Sequence, residues 1–284
     1  MQTLLNILAQ GTSLAAVYLL GALGLTTIYG VMGVVNLAHG ELIMLGSYVM
    51  VYAAPSLTWP VAVVLAFVAL AAFGVVLDTV LIRFLYHRPV QSMLGTWGLA
   101  LVLRQAVIML IGPELRYVAL PVAGSFALGF GAQLSWWRFV LIVCAAITAG
   151  LVGVILLKSR IGLEMRAVIA NPDAAESLGL RAARVNRFSF ALGCGLAGVA
   201  GALVAPLRTV FPGMGVPYLV SAFLVVVLAG LGNLRATVVW SLVIGLGFAA
   251  VAVTVDEIVA TIVVWCAALA IIAIRRTPIA VARV

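Results

Sequence analysis

Nine long apolar runs fill the chain almost from end to end, and they limit what it can fold into more than any other feature. A helix that crosses a membrane needs about 20 consecutive apolar residues. Most of the runs have about that length, and the seventh is short enough to suit a broken or re-entrant helix. We therefore expect eight to nine crossings from the runs Leu5–Ile28, Gly30–Ala54, Pro60–Ile82, Ser92–Ile111, Trp137–Leu157, Phe188–Leu207, Tyr218–Leu231, Thr237–Val255 and Ile258–Ile274.

Charged residues are too scarce to cover the surface of a soluble domain. They make up 8% of this chain, against about 25% in soluble proteins. The composition therefore predicts an all-α, polytopic transmembrane helix bundle that forms one domain over residues 1–284, with no cleaved signal peptide. The three cysteines lie inside apolar runs without a CxxC spacing, so neither a disulfide nor a metal site is indicated.

The basic residues, which give a net charge of +8, fall into two unequal sets of loops. Loops rich in Lys and Arg stay in the cytoplasm under the positive-inside rule. Twelve cations against three place the amino terminus outside and the long connection 158–187 inside, and no basic surface for nucleic acid is indicated. The twelve are Arg83, Arg88, Lys158, Arg160, Arg166, Arg181, Arg184, Arg187, Arg235, Arg275, Arg276 and Arg283, and the three are Arg116, Arg138 and Arg208.

A polar segment interrupts the second apolar run. Asn36, His39 and Glu41 stand among apolar residues, where an ionisable group costs several kcal/mol unless it is paired or faces a cavity. On a helix Asn36 and His39 would share a face, and Gly33 and Gly40 favour a broken helix whose free backbone groups line a pathway. Two interpretations remain: a translocation pathway or hinge, and a helix cap near the cytoplasmic interface.

The fourth apolar run holds a second polar group. Thr96 and Trp97 suit helix packing, although both are candidates for a pathway, while Arg104 lies deep enough to need a partner or to extend toward the interface. Asp78, near the inner end of the third run, is placed to pair with Arg83. With two histidines in the whole chain, no zinc motif and no catalytic cluster is indicated.

The long connection predicts two short amphipathic helices. Asn171 suits the N-cap of the second helix, Pro172 its first turn, and Asp173 the positive end of its dipole, while Gly179 ends it. A loop with apolar and charged faces favours docking to another protein. The alternative is a helix that lies on anionic lipid.

Two long segments carry a resemblance to a known family: Gly33–Glu41 and Arg160–Gly179. From about Leu5 to Ile274 the chain resembles the membrane permeases of bacterial ABC importers in the branched-chain amino acid family. Within it the chain looks most similar to the urea and short-chain amide permeases, although His87 and Ala236 stand where glycine is expected. This closer similarity is carried by Ile28–Gly33, Leu85–Pro89, Thr96–Gly98 and Gly230–Leu234.

The resemblance implies a subunit of a larger complex in the bacterial inner membrane. Its partners would be a sister permease, two cytoplasmic ATPases, an external solute-binding protein and membrane lipid. Lys158 is the only lysine and follows Leu157, so the chain has no phosphate-binding loop and its energy must come from a partner or a gradient. The resemblance implies that partner subunits bind the ATP, and we expect no cofactor or enzyme activity in this chain. The candidate pathway or gate residues are Asn36, His39, Glu41, Tyr29, Thr96 and Trp97, and the candidate coupling residues are Arg160, Glu164, Arg166, Asn171, Pro172, Asp173 and Glu176.

The polar groups of the spans bear on the substrate. Urea and amides are neutral and need hydrogen bonds, which the amide, hydroxyl and indole groups of the spans offer, and so we expect urea or a short-chain amide. A branched-chain amino acid is the alternative, and it would need separated charges beside an apolar recess. A secondary transporter or passive channel is an alternative of another class, which predicts no docking loop and a clearer internal repeat.

Overall fold

The computed structural model describes residues 1–86, 88–129, 131–230 and 232–275. Expectations that involve His87, Leu231, Arg276 and Arg283 lie outside the described residues. The described elements are α1 (Gln2–Met32), α2 (His39–Ala53), α3 (Trp59–Val80), a 3-10 turn (Ile82–Leu85), α4 (Pro89–Ile111), β1 (Ser125–Gly129), β2 (Ala132–Ser135), α5 (Trp136–Lys158), α6 (Arg160–Ala170), α7 (Pro172–Ser177), α8 (Ala182–Val204), a second 3-10 turn (Ala205–Leu207), α9 (Gly215–Ala229), α10 (Leu234–Thr254) and α11 (Glu257–Arg275).

The all-α transmembrane fold is confirmed. Among the described residues, seven helices are long and apolar enough to cross a membrane, namely α1, α3, α4, α5, α8, α10 and α11. Two further apolar helices, α2 and α9, have 15 residues each. These nine helices correspond to the nine apolar runs, and the short helix predicted from the seventh run is α9.

The core of the bundle is formed by α1 and α8, which are largely buried, while α3, α4, α5, α10 and α11 bury only a minor part of their surface and surround it. Small residues let the central backbones approach closely. Gly24 lies against Gly193, and Gly46 lies against Gly198, with no room for a side chain at either crossing. The helices therefore pack backbone to backbone, as the glycine-rich spans predict.

The central helices form an inverted arrangement that the sequence did not reveal. Helix α1 packs against α10 as α8 packs against α3, and α2 packs against α8 as α9 packs against α1. Val31 at the end of α1 and Val185 at the start of α8 share one apolar cluster, so these two helices run in opposite directions. If α1, α2 and α3 are exchanged for α8, α9 and α10, respectively, the same helix pairs stay in contact and the helices run in the opposite direction. Such inverted repeats are found in membrane transport proteins.

The two sets of basic loops lie at opposite ends of the bundle. The same cluster joins α6 and α7 to the end of α1 and the start of α8. An ion pair joins Asp78 of α3 to Arg187 at this end, which we name the cytoplasmic end from its basic loops. At the other end, named the external end, the backbone of Arg116 pairs with that of Val210.

A small antiparallel hairpin at the external end is a difference from the expected helices. Strands β1 and β2 pair with Phe126 opposite Leu134. The rings of Phe126, Trp136 and Phe139 pack against each other, in keeping with the aromatic residues that lie at membrane interfaces. The strands lie in residues 112–136, between the fourth and fifth apolar runs, where glycine and proline interrupt the apolar residues. A search for long continuous apolar runs therefore predicted no element there.

Candidate functional site

The helix break expected inside the second apolar run is present, and it separates α1 from α2, so residues 30–32 of that run belong to α1. Helix α1 ends at Met32, the following Gly33 has a φ of 64° in the left-handed region, and α2 begins at His39. The expectation that Asn36 shares a helix face with His39 is wrong, because Asn36 lies in the non-helical connection. Its Oδ1 accepts a hydrogen bond from the N–H of Ala38 at 3.1 Å, a local turn that prepares the start of α2.

His39 is fully buried between α1 and α2. Its Nε2 lies 2.9 Å from the carbonyl oxygen of Gly21, and its ring fills the space beside Gly24. Since a carbonyl oxygen only accepts hydrogen bonds, Nε2 carries the proton and Nδ1 is an acceptor. Nδ1 has no partner among the described residues. His39 therefore fixes the crossing of α2 on α1 and keeps one unused polar atom.

Glu41 and Arg104 form an ion pair that joins α2 to α4. The carboxylate is 2% exposed and the guanidinium 33% exposed, and Arg104 Nε lies 3.2 Å from Glu41 Oε1. Arg104 thus has the partner that its depth requires. Glu41 Oε2 is buried without a partner in the described part of the chain. The pair is electrically balanced but leaves one oxygen free to accept a further hydrogen bond.

Thr96 joins the same site from α4, whereas Trp97 and Tyr29 do not. The hydroxyl of Thr96 accepts from the N–H of Leu37 at 3.1 Å and donates to the carbonyl of Ser92 at 2.8 Å. Trp97 is more than half exposed on the outside of α4. Tyr29 is half-buried in the last turns of α1. The structure therefore groups Asn36, His39, Glu41 and Thr96 around the start of α2.

The short helices α2 and α9 both begin deep inside the bundle. Gly24, which contacts His39, lies against Gly193 in the middle of α8. The backbone of Gly215, the first residue of α9, touches the backbone of Gly40. Two helix amino ends, each with a partial positive charge, therefore meet near mid-depth, and Glu41 in the first turn of α2 gains from this field.

The unpartnered atoms at this point indicate what the arrangement can do. Asn36 Nδ2, His39 Nδ1 and Glu41 Oε2 are a donor and two acceptors without partners among the described residues. A buried polar group without a hydrogen bond costs free energy, so these atoms favour contact with water or a polar solute, or a second helix arrangement. The described residues contain no cluster of three or more metal-ligating side chains.

The cytoplasmic connection folds as predicted, into α6 and α7. Asn171 Oδ1 accepts from the N–H of Ala174 at 3.0 Å as N-cap, Pro172 opens α7, and Gly179 has a φ of 85°. Met165 and Val168 of α6 pack against the bundle. Among the candidate coupling residues, Glu164 is half-buried and Arg166 donates a hydrogen bond to the carbonyl of Leu156 at the end of α5. The exposed ones are Arg160, Arg166, Asn171, Pro172, Asp173 and Glu176.

A second buried carboxylate, Asp78, was expected to pair with Arg83, and that expectation is wrong. Asp78 Oδ2 accepts from Arg187 Nε at 3.2 Å, and Asp78 Oδ1 accepts from the hydroxyl of Tyr86. Arg83 instead lies over the ring of Phe84, 4.5 Å from its centroid. Burial, and then the hydrogen bond to Asp78, raise the pKa of Tyr86 above its usual value. This group joins α3 to α8 at the cytoplasmic end.

Comparison with known proteins identifies the family of this chain. Residues 7–268 match the family model described as branched-chain amino acid transport system / permease component. This covers nearly the whole bundle, including the α2 site and the cytoplasmic connection.

Individual relatives agree with the family model. The chain is 26% identical to the high-affinity branched-chain amino acid transport system permease protein BraD of Pseudomonas aeruginosa, over 84% of this chain and 83% of BraD. It is 29% identical to the corresponding protein LivH of Escherichia coli K12, over 84% and 82%. A probable branched-chain amino acid transport permease protein LivH of Methanocaldococcus jannaschii is 28% identical, over 79% and 74%. No solved structure matches the chain.

The relatives also bear on the expected substrate. Those named above are branched-chain amino acid permeases, so the expectation of urea or a short amide has no support from them, and the alternative fits better. Together with the seven apolar spans, the match makes the chain a multi-pass protein of the inner membrane and a transport subunit without enzyme activity. The chain belongs to the permease component family of branched-chain amino acid transport systems.

Proposed function

We propose that this chain is a membrane subunit of an ATP-driven importer for branched-chain amino acids. Its partners are a sister permease, two cytoplasmic ATPases and an external solute-binding protein. Family membership and the names of the relatives support the substrate class. The absence of a phosphate-binding loop from the sequence supports a separate source of ATP hydrolysis.

The observation that carries this proposal is the outer surface of α6 and α7. One side of this pair packs on the bundle through Met165 and Val168. The other side exposes apolar side chains, with Leu163 at 62%, Ile169 at 50% and Leu178 at 83% exposed. Exposed apolar residues grouped among charged ones are typical of a surface that binds a protein partner.

The charges of this surface favour a protein over anionic lipid. The exposed acids Asp173 and Glu176 of α7 lie beside the exposed Arg160 and Arg166 of α6. A surface for anionic lipid would be basic throughout, whereas charges of both signs favour a protein partner. We therefore assign the coupling role to Arg160, Glu164, Arg166, Asn171, Pro172, Asp173 and Glu176. The α2 site, with Asn36, His39, Glu41 and Thr96, is assigned to the pathway or its gate, and Tyr29 and Trp97 stay more distant candidates.

The experiment reverses two charges in the coupling surface. Glu164→Lys with Asp173→Lys should release the ATPase from the purified complex, or uncouple ATP hydrolysis from substrate, while the membrane bundle remains folded. Glu114→Lys, an exposed acid at the external end, is the matched control and should change neither. Unchanged ATPase binding and uptake in the double variant would contradict the coupling role.

The same reconstituted complex tests the substrate. Liposomes that contain the complex and its binding protein are given labelled leucine, urea or acetamide. We expect ATP-dependent accumulation of leucine alone. Accumulation of urea without leucine would restore the expectation drawn from the sequence and leave the role as an importer subunit intact.

A further inference from the structure

The external end of the bundle contains a large cavity, remote from the basic loops. Its volume is about 960 Å³, at the upper end of the range for small-molecule sites. The ends of six helices surround it: the first half of α1, the starts of α5, α9 and α11, and the last turns of α8 and α10. All of these helix ends belong to this chain.

Charges of both signs line this cavity. Arg208, after α8, contacts Glu257, the first residue of α11, with 3.1 Å between Nη2 and Oε1. Asp256 accepts a hydrogen bond from the N–H of Ile258 at 2.8 Å and so caps α11. Arg138, at the start of α5, is half-buried and close enough to Arg208 for their like charges to interact.

Arg138 is the least compensated of these groups. No carboxylate in the described part of the chain forms an ion pair with it. A guanidinium holds a carboxylate in a bidentate geometry, and a half-buried one without a partner favours binding an anionic group. Because two arginines face two acids, the cavity is balanced overall, which disfavours a ligand with a net charge.

The rest of the cavity is apolar or weakly polar. Val17, Met214, Phe248 and Trp265 line it, together with the phenol of Tyr18. Val17, Met214 and Phe248 are buried side chains, so they form a firm apolar wall. Separated charges beside such a wall match a zwitterion with an aliphatic tail. Urea is neutral and has no aliphatic group, so it would neither pair with the charges nor pack against the wall.

From this arrangement we infer that the cavity is a binding site for a zwitterionic aliphatic amino acid within this single chain. Arg138 binds the α-carboxylate, Glu257 binds the α-ammonium group, and the wall of Val17 and Phe248 packs against the side chain. The inference rests on the proposed import function and adds a site on the permease itself, separate from any site on a binding protein.

The Arg208–Glu257 ion pair does not prevent this binding. Its partners are 54% and 62% exposed. Pairs as exposed as this contribute little to stability because solvent screens their charges. An incoming ammonium group can therefore replace Arg208 as the partner of Glu257 at little cost. The released guanidinium then adds to the positive field around the ligand carboxylate.

The test uses protection of a cysteine from labelling. Thr261 lines the cavity, and Thr261→Cys is made in a background of Cys144→Ala and Cys266→Ala, which removes the two accessible thiols. The full chain in nanodiscs is labelled with a membrane-impermeant maleimide. L-leucine should slow the reaction by a factor of 1 + [L]/Kd, about tenfold at ten times Kd. Isoamylamine, 4-methylpentanoate and urea, each of which lacks at least one of the two charges, should not protect.

Variants then assign the charges. Arg138→Gln should lose protection by leucine. Arg138→Lys keeps the charge but not the bidentate geometry and should keep part of the protection, which separates loss of charge from loss of fold. Arg116→Gln, an arginine at the same end outside the cavity, should behave as the parent. Full protection in Arg138→Gln, or equal protection by urea and leucine, would overturn the inference. So would a lack of protection by leucine while the reconstituted complex still accumulates leucine, and that result would leave the proposed function standing.

Discussion

Two buried carboxylates in this bundle have similar partners but differ in how many of their oxygens accept a hydrogen bond. Asp78, at the cytoplasmic end, is 1% exposed, and Glu41, at the start of α2, is 2% exposed, and each pairs with a partly exposed arginine. Both oxygens of Asp78 accept hydrogen bonds. Glu41 uses only Oε1. The fully bonded Asp78 indicates a structural contact that holds helices together. The unpartnered oxygen of Glu41 indicates a group that can bind a further partner.

The strongest effect is expected at His39, next to Glu41. His39→Phe removes the hydrogen bond to the carbonyl of Gly21 and the free acceptor Nδ1, while the ring still fills the space beside Gly24. We expect uptake by the reconstituted complex to be abolished and the amount of folded protein to be retained. Normal uptake would show that the polar segment at the start of α2 is only a helix cap.

Glu41→Gln should have the next largest effect. The amide keeps the size of the carboxylate but loses the charge that Arg104 pairs with. The amide oxygen can still accept a hydrogen bond from Arg104, so the fold should persist while uptake falls about tenfold, a change of about 1.4 kcal/mol. Uptake rates and thermal unfolding are measured on the same preparation. If the variant lost stability but kept normal uptake per folded protein, Glu41 would be a structural contact between helices, as Asp78 is.

Asp78→Asn, the same change in the other region, should act on stability. It removes the charge between Arg187 and Tyr86, at a cost of about 1–2 kcal/mol, since Arg187 is partly exposed and solvent screens its charge. The melting temperature in detergent should fall, and uptake per folded protein should remain. A selective loss of uptake at unchanged stability would remove the distinction between the two carboxylates.

Tyr86→Phe should have the smallest effect. It deletes one hydrogen bond to Asp78, worth about 1 kcal/mol. The folded state also raises the pKa of Tyr86, by burial first and the Asp78 bond second, so its contribution is full below the unfolded value of about 10 and is lost as the pH rises above it. Stability measured against pH should therefore fall less steeply on the alkaline side in Tyr86→Phe. An equal slope in both proteins would contradict this.

Local signals in the sequence predicted the local features well. The break after Gly33, the short helix from the seventh apolar run and the cap of α7 by Asn171 all depend on neighbouring residues, and all three are present. The polar residues around the start of α2 were found because they interrupt an apolar run. Their exposure and partners were not predictable from that pattern.

Pairings between distant segments could not be predicted. Helix packing alone brings Arg104 to Glu41 and Arg187 to Asp78. Hydropathy carries no information about which helices pack together. The external cavity does have a signal in the sequence. Arg138 and Arg208 are cations on the side where the positive-inside rule expects few. Such exceptions are candidates for binding groups, and both lie in that cavity.

The lengths of the helices have a consequence for the surrounding bilayer. The outer helices α3, α4, α5, α10 and α11 have 19 to 23 residues, so they span about 28–35 Å, close to a hydrocarbon core of about 30 Å. The helices whose lengths do not match the bilayer are α1, with 31 residues, and α2 and α9, with 15 each, and these are shielded within the bundle. Lipid therefore meets a wall of matched hydrophobic thickness, and the half-length helices can shift without thinning or thickening the membrane.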